Sequence, residues 1–166
     1  ILSLSDPLYP VELGVFSTQA GVYGIVVQGH YVYIPENRGC DANGQCTSFL
    51  RIIDVARPAS PVEIGKYSYM AAKRMLTSAI ALAGNQIYLM DMGDDLLGLV
   101  ILELSNPIAP QFLSRLGVAS WQLSDLTVIG NSAYISSWGY PPYDGPPFGW
   151  LYIVDVSDPR NPVETS

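Results

Sequence analysis

Trp150-Leu-Tyr-Ile-Val-Asp-Val-Ser-Asp-Pro-Arg-Asn-Pro-Val163 decides the fold. It reads as an apolar strand, a turn bounded by two prolines, and the start of a second strand. Leu50-Arg-Ile-Ile-Asp-Val-Ala-Arg-Pro-Ala-Ser-Pro-Val62 repeats the text, and so does Leu99-Val-Ile-Leu-Glu-Leu-Ser-Asn-Pro-Ile-Ala-Pro-Gln111. A fourth copy, Leu2-Ser-Leu-Ser-Asp-Pro-Leu-Tyr-Pro-Val11, opens the chain. The leading prolines Pro7, Pro58, Pro107 and Pro159 are 51, 49 and 52 residues apart. A self-similar unit of this length points to a propeller or a solenoid.

The upstream half of each unit repeats as well. Ile25–Ile34, Ile80–Leu89 and Leu126–Ile135 each hold an apolar run, a Gly-His or Gly-Asn pair, and a run with a tyrosine in phase. Gly and Asn accept the positive φ of a tight hairpin turn. The unit is thus four short antiparallel strands, the blade of an all-β propeller. Buried helices are a poor alternative. The runs are short, β-branched and aromatic, with Pro or Gly between every pair and no 3.6-residue period. Only Tyr69-Met-Ala-Ala-Lys-Arg-Met-Leu76 has helical composition, and a short turn is expected there.

In order, residues 1–16 read as half a blade, its third and fourth strands. Residues 24–67 and 78–116 are expected to form complete blades, and 125–166 a blade whose last strand is cut short. Irregular loops are expected from Glu36 to Ser48, Asp91 to Leu97 and Ser137 to Gly149, with linkers from Ser17 to Tyr23, Ser68 to Thr77 and Gly117 to Ser124. Three and a half blades leave raw sheet edges, because closed rings hold about four to eight. The expected completion is the remaining blades of a longer chain, or another copy.

At 166 residues with 49% hydrophobic and 14% charged residues, the chain can bury a sizeable core, and the composition argues against disorder. A formal charge of −7 argues against nucleic acid, since little here neutralises a phosphate backbone. The longest apolar stretch, Leu96 to Leu102, is broken by Gly98 and falls far short of the roughly 20 residues of a spanning helix. The start at Ile1 reads as a trimmed or processed segment. Cys40 and Cys46 flank the turn dipeptide Asn43-Gly44, so the chain can fold back and join them. A disulfide there would imply an oxidising, extracellular compartment. Two thiols or half a metal site are the alternatives, although one histidine cannot complete a zinc site.

The block Leu151-Tyr-Ile-Val-Asp-Val-Ser-Asp-Pro-Arg-Asn-Pro-Val163, with the Gly130-Asn131-Ser-Ala-Tyr134 hairpin before it, resembles the LVIVD repeat of bacterial and archaeal cell-surface and secreted β-propellers. The likeness covers nearly the whole chain. It is looser in the unit where Glu103 and Gln111 replace Asp and Val. It implies a propeller and an extracellular, secreted or cell-surface setting, and brings no catalytic motif.

Alternate connections of an antiparallel blade lie at opposite ends. The Gly-Asn hairpins and Asp-Pro turns share one end, and all the irregular sequence gathers at the other, where binding is expected. Trp138, Tyr140, Tyr143 and Phe148 stand there among four prolines, a stiff stacking surface suited to sugars or proline-rich peptides. The same rings would equally serve as core folded over the blade's edge. Trp121, Tyr67 and Tyr69 are expected at the channel mouth. Asp91, Asp94 and Asp95, with Asp125 nearby, would suit calcium, which takes about six to eight oxygens, or would form a solvated acidic surface. No Gly-x-Ser-x-Gly elbow or His-Glu-x-x-His motif is present, and His30 sits in a hairpin turn. The repeated Asp54, Glu103 and Asp155 are expected to bond backbone within the turns. The best reading is an extracellular binding or structural module with a protein or carbohydrate partner. The alternative is part of a secreted hydrolase or lyase whose catalytic groups lie partly outside these residues.

Overall fold

The computed structural model describes residues 1–18, 20–40, 42, 46–71, 79–92, 97–118, 123–139 and 148–165, with backbone only at 38–40, 46–47, 69–71 and 92. Every element among them is a strand. β1 (Leu2–Ser3) and β2 (Val11–Glu12) form the half-blade. β3 (Gly21–Val22), β4 (Val26–Gln28), β5 (Tyr31–Cys40), β6 (Cys46–Asp54) and β7 (Val62–Ala71) form the first full blade. β8 (Ile80–Ala83), β9 (Gln86–Met92), β10 (Leu97–Glu103) and β11 (Gln111–Gly117) make the middle blade. β12 (Leu123–Ile129), β13 (Ser132–Gly139), β14 (Phe148–Asp155) and β15 (Val163–Glu164) make the last. Neighbouring strands pair antiparallel throughout, mostly in simple up-and-down order.

Local chemistry repeats with the sequence. Gly29, Gly84 and Gly130 open the two-residue hairpins at φ near +60° (61, 57 and 58), where a β-carbon would be strained. The carbonyl of the second turn residue then accepts the amide that ends the third strand. Val55 bonds His30, Leu104 bonds Asn85 and Val156 bonds Asn131, each at 2.8 Å. The hairpins and the Pro turns are therefore locked together at one end of every full blade. The Pro turns carry proline at their second position, and Asp6, Asn106 and Asp158 each accept the amide two residues on, at 3.0, 3.2 and 2.9 Å. Asp54 and Asp155 also accept backbone amides, from Ala56 and Ser157, both at 2.8 Å. Glu103 departs from that expectation. Its longer side chain lies 3.9 Å from Arg160 of the last blade.

Side-chain alternation along the strands supplies two apolar faces per blade. Tyr33, Leu50 and Ile52 of the first blade pack against Ile87, Leu89, Val100 and Leu102 of the middle one. The middle blade's other face, including Tyr88, Leu99 and Ile101, packs against Ala133, Ile135, Tyr152 and Val154 of the last. Phe16 and Val55 cover Val32, Ile34 and Ile53, a smaller core beside the half-blade. The cores lie between successive sheets, the arrangement of propeller blades. Full burial of each Leu or Ile is worth about 1.5–3 kcal/mol.

Several expected boundaries move. The Glu36–Ser48 loop is largely strand, because β5 runs to Cys40 and β6 begins at Cys46. Gly21–Val22, placed in a linker by pattern, pairs with Asn37 and Glu36. Tyr69–Ala71, the start of the expected helical turn, continue β7, and the rest of that stretch lies outside the described residues. Propensity there yields to cross-strand pairing with β6, which carries Ser48↔Tyr69 through Cys46↔Ala71. In the last blade the strands reach Gly139 and start at Phe148, shortening the expected loop at both ends.

Candidate functional site

The irregular end of the last blade begins where β13 and β14 separate. Trp138 pairs with Gly149, Ser137 with Trp150 and Gly139 with Phe148. Trp138 and Phe148 are thus strand residues rather than loop residues. Phe148 and Trp150 are two apart on β14, and their rings meet edge to face with centroids 4.2 Å apart. Trp150 is 42% exposed and Trp138 39%. Strand alternation directs Trp138 to the opposite face of the sheet, so the aromatic group straddles the blade. Tyr140, Tyr143 and Trp121 lie outside the described residues. Tyr67 does not stand at a channel mouth. It belongs to the outermost strand and packs into the core between first and middle blades, where burial pushes its hydroxyl pKa up.

The acidic group is only partly described. Asp91 is not a loop residue but lies in β9, 2% exposed, with its Oδ2 2.9 Å from Arg115 Nη2. The guanidinium reaches it across Gly98. A β-carbon at Gly98 would press on the Leu116 carbonyl and come within 3.5 Å of Arg115 Nε. Asp125 is exposed, and its Oδ1 accepts the Leu126 amide at 2.9 Å. Asp94 and Asp95 lie outside the described residues. Among those described, no group of three or more His, Cys, Asp or Glu could hold a metal ion. The backbone register sets Cys40 opposite Cys46, and their side chains are outside the description. No described helix is long and apolar enough to cross a membrane.

A buried charge network was not anticipated from the sequence. Arg51 Nε donates to Glu36 Oε2 at 2.7 Å, and Nη1 pairs with Glu63 Oε2. Glu36 is fully buried and Arg51 7% exposed. Burial alone would lower the Arg51 pKa, but the bonds to Glu36 and Glu63 outweigh it and hold the guanidinium above its ordinary value. Its plane carbon also lies 5.9 Å from the Phe16 ring, on the half-blade side. Repeat alignment contained the signal. Glu36, Asp91 and Ser137 stand seven residues after their hairpin glycines, and all three are buried polar groups. Arg51 takes the place of Val100 and Tyr152. A cavity of about 200 Å³ lies at the turn end of the first blade, lined by Asp54, Ala56, Arg57, Ser60, Val62 and Ile64.

Four-stranded sheets with this turn chemistry agree with the family comparison. A sequence model of the LVIVD repeat matches residues 21–69, 76–116 and 147–166. The chain belongs to the LVIVD-repeat family. The first two matched segments span the first and middle blades, and the third covers β14, the Pro turn and β15 of the last. Comparison with curated proteins finds no match.

Proposed function

We propose that this LVIVD-repeat chain is an extracellular or cell-surface binding module that holds a protein or carbohydrate at the blade ends opposite the Pro turns. The observation that carries this reading is the exposure of Trp138 and Trp150, with the half-buried Phe148 against Trp150, where β13 and β14 separate. Edge-to-face rings fixed on strands present apolar area at little entropic cost, which suits sugar faces and proline-rich segments. The ring of blades is completed by further blades or by another copy. A Cys40–Cys46 bridge across the β5–β6 pair fits the oxidising setting. Alkylation of both cysteines only after reduction is its expected signature, and labelling of the untreated protein contradicts it. The binding test is tryptophan fluorescence during titration with soluble polysaccharides and with proline-rich peptides. A saturable change that disappears in Trp150→Ala is the expected result. A flat response to every probe up to millimolar concentration would overturn the reading.

A further inference from the structure

We propose that the cavity beneath the first full blade's Pro turn is a binding site for an apolar α-amino acid, free or as the carboxyl-terminal residue of a peptide. The site lies at the other end of the blades from Trp138 and Trp150, so neither reading depends on the other.

Comparison of the repeats shows what is unusual here. Three Pro turns open on a serine and an Asx residue, Ser5-Asp6, Ser105-Asn106 and Ser157-Asp158, whereas this one opens on Ala56-Arg57. In those three the Asp or Asn side chain accepts the amide two residues on and closes the turn on itself. A guanidinium accepts no hydrogen bond, so Arg57 cannot do the same. In the last blade the Ser157 hydroxyl also joins its amide in holding the Asp155 carboxyl. Ala56 offers Asp54 an amide alone, to Oδ1 at 2.8 Å. Two replacements thus release groups that the other turns satisfy internally. Among the described residues, Asp54 Oδ2 and the Arg57 guanidinium have no hydrogen-bond or ion-pair partner. A turn that gives up its own bonds with no structural return points to a ligand.

Both released groups line a cavity with an apolar wall. Asp54, Ala56, Arg57, Ser60, Val62 and Ile64 bound about 200 Å³. Asp54 and Val62 pair across β6 and β7, and Ile64 also packs against the core shared with the middle blade. The frame is fixed by backbone, because the Val55 amide donates to the His30 carbonyl and the Ser60 amide to that of Arg57, both at 2.8 Å. The middle blade's Pro turn is a plug seated on the same strand. A β-carbon on Gly65 would sit 2.6 Å from the Ile108 carbonyl oxygen. The cavity therefore stays open with the neighbouring blade in place.

Volume and chemistry together select the ligand. About 200 Å³ exceeds the roughly 150 Å³ that takes up benzene, and falls short of the roughly 300 Å³ where drug-sized pockets begin. A molecule of single-residue size fits. Arg57 presents a fork of N–H donors to a carboxylate. Asp54 Oδ2 accepts from an ammonium or amide N–H, and Val62 and Ile64 cover a branched apolar chain. A carboxylate, an N–H group on the adjacent carbon and an apolar chain are the parts of an apolar α-amino acid.

The test is NMR amide-shift mapping of the 166-residue chain titrated with L-leucine, N-acetyl-L-leucine and L-leucinamide. Saturable shifts at Ala56, Arg57, Ser60 and Val62 are expected with leucine or its acetyl derivative. Leucinamide lacks the carboxylate and should bind about tenfold more weakly or not at all. A preference for leucine marks the free amino acid, and a preference for N-acetyl-leucine marks a peptide end. Ala56→Ser with Arg57→Asp rewrites the turn as the last blade has it, which the fold already accommodates, and should abolish the shifts. Arg57→Asn alone, the residue of the middle blade, serves should the double variant unfold. Absence of saturable shifts with all three probes overturns the proposal. Equal binding of leucine and leucinamide, undiminished binding to the folded variant, or shifts centred on Trp150 instead would do the same.

Discussion

The middle and last blades share a sequence pattern, a strand order and a turn, yet only one is covered on both faces. Ile101 and Ile153 occupy the same repeat position. The first is fully buried between two sheets, and the second is half-buried on a sheet with one neighbour. The difference shows that the strand pattern specifies the sheet, whereas burial depends on what stands beside it. In such a repeat array a blade's stability is its own contribution plus its junctions.

The largest contrast is expected from truncation at that position. Ile101→Ala should cost about 2–5 kcal/mol, since it opens a cavity in a packed interface. Ile153→Ala should cost well under half of that, because water already reaches the site. Equal losses in denaturant melts of the two variants would erase the distinction between covered and open blades.

The junctions offer a second, smaller contrast. Gly65→Ala should destabilise by about 1–3 kcal/mol, because its β-carbon meets a backbone carbonyl that cannot swing aside. Ser114→Ala should lose about 1 kcal/mol, the net worth of one hydrogen bond to the Pro159 carbonyl. A stabilised Gly65→Ala protein would mean that the plug does not sit on this strand.

The smallest effect belongs to acid. In the last blade, the Ser157 amide and hydroxyl hold the Asp155 carboxyl below its ordinary 3.8. Asp158 is held down by the Asn161 side chain and then the Arg160 amide. A carboxyl whose folded pKa is depressed contributes stability above the unfolded value, and loses it as pH falls through the folded one. Both groups are fully exposed, so the expected change is a slight flattening of the acid limb in Asp158→Asn, below about pH 4. A melting temperature that falls equally in wild type and variant through that range would remove the Asx turn from the account.

Much of this architecture could be read directly. Pro7, Pro58, Pro107 and Pro159 gave the period, Gly29, Gly84 and Gly130 the hairpins, and alternation the faces. Boundaries at the irregular end were harder. β5 continues through Pro35, Glu36 and Asn37 because pairing with β6 carries the polar residues along, and no local pattern announces that. Trp138 and Phe148 were found as aromatic candidates, but their place on strands depends on pairing across the 140–147 stretch. Asp91 looked like a loop ligand because its partner Arg115 is two strands away.

Sequence alone determined the repeat, its turns and its family, since each rests on neighbours within a few residues of one another. Only tertiary structure decided which apolar residues are covered, which carboxylates are neutralised, and where one blade's turn seats on another. Those outcomes depend on groups 12 to 45 residues apart, brought together by strand pairing within a sheet and by stacking between sheets. Similar repeats in the middle and last blades therefore show a closed interface in one and an open surface in the other.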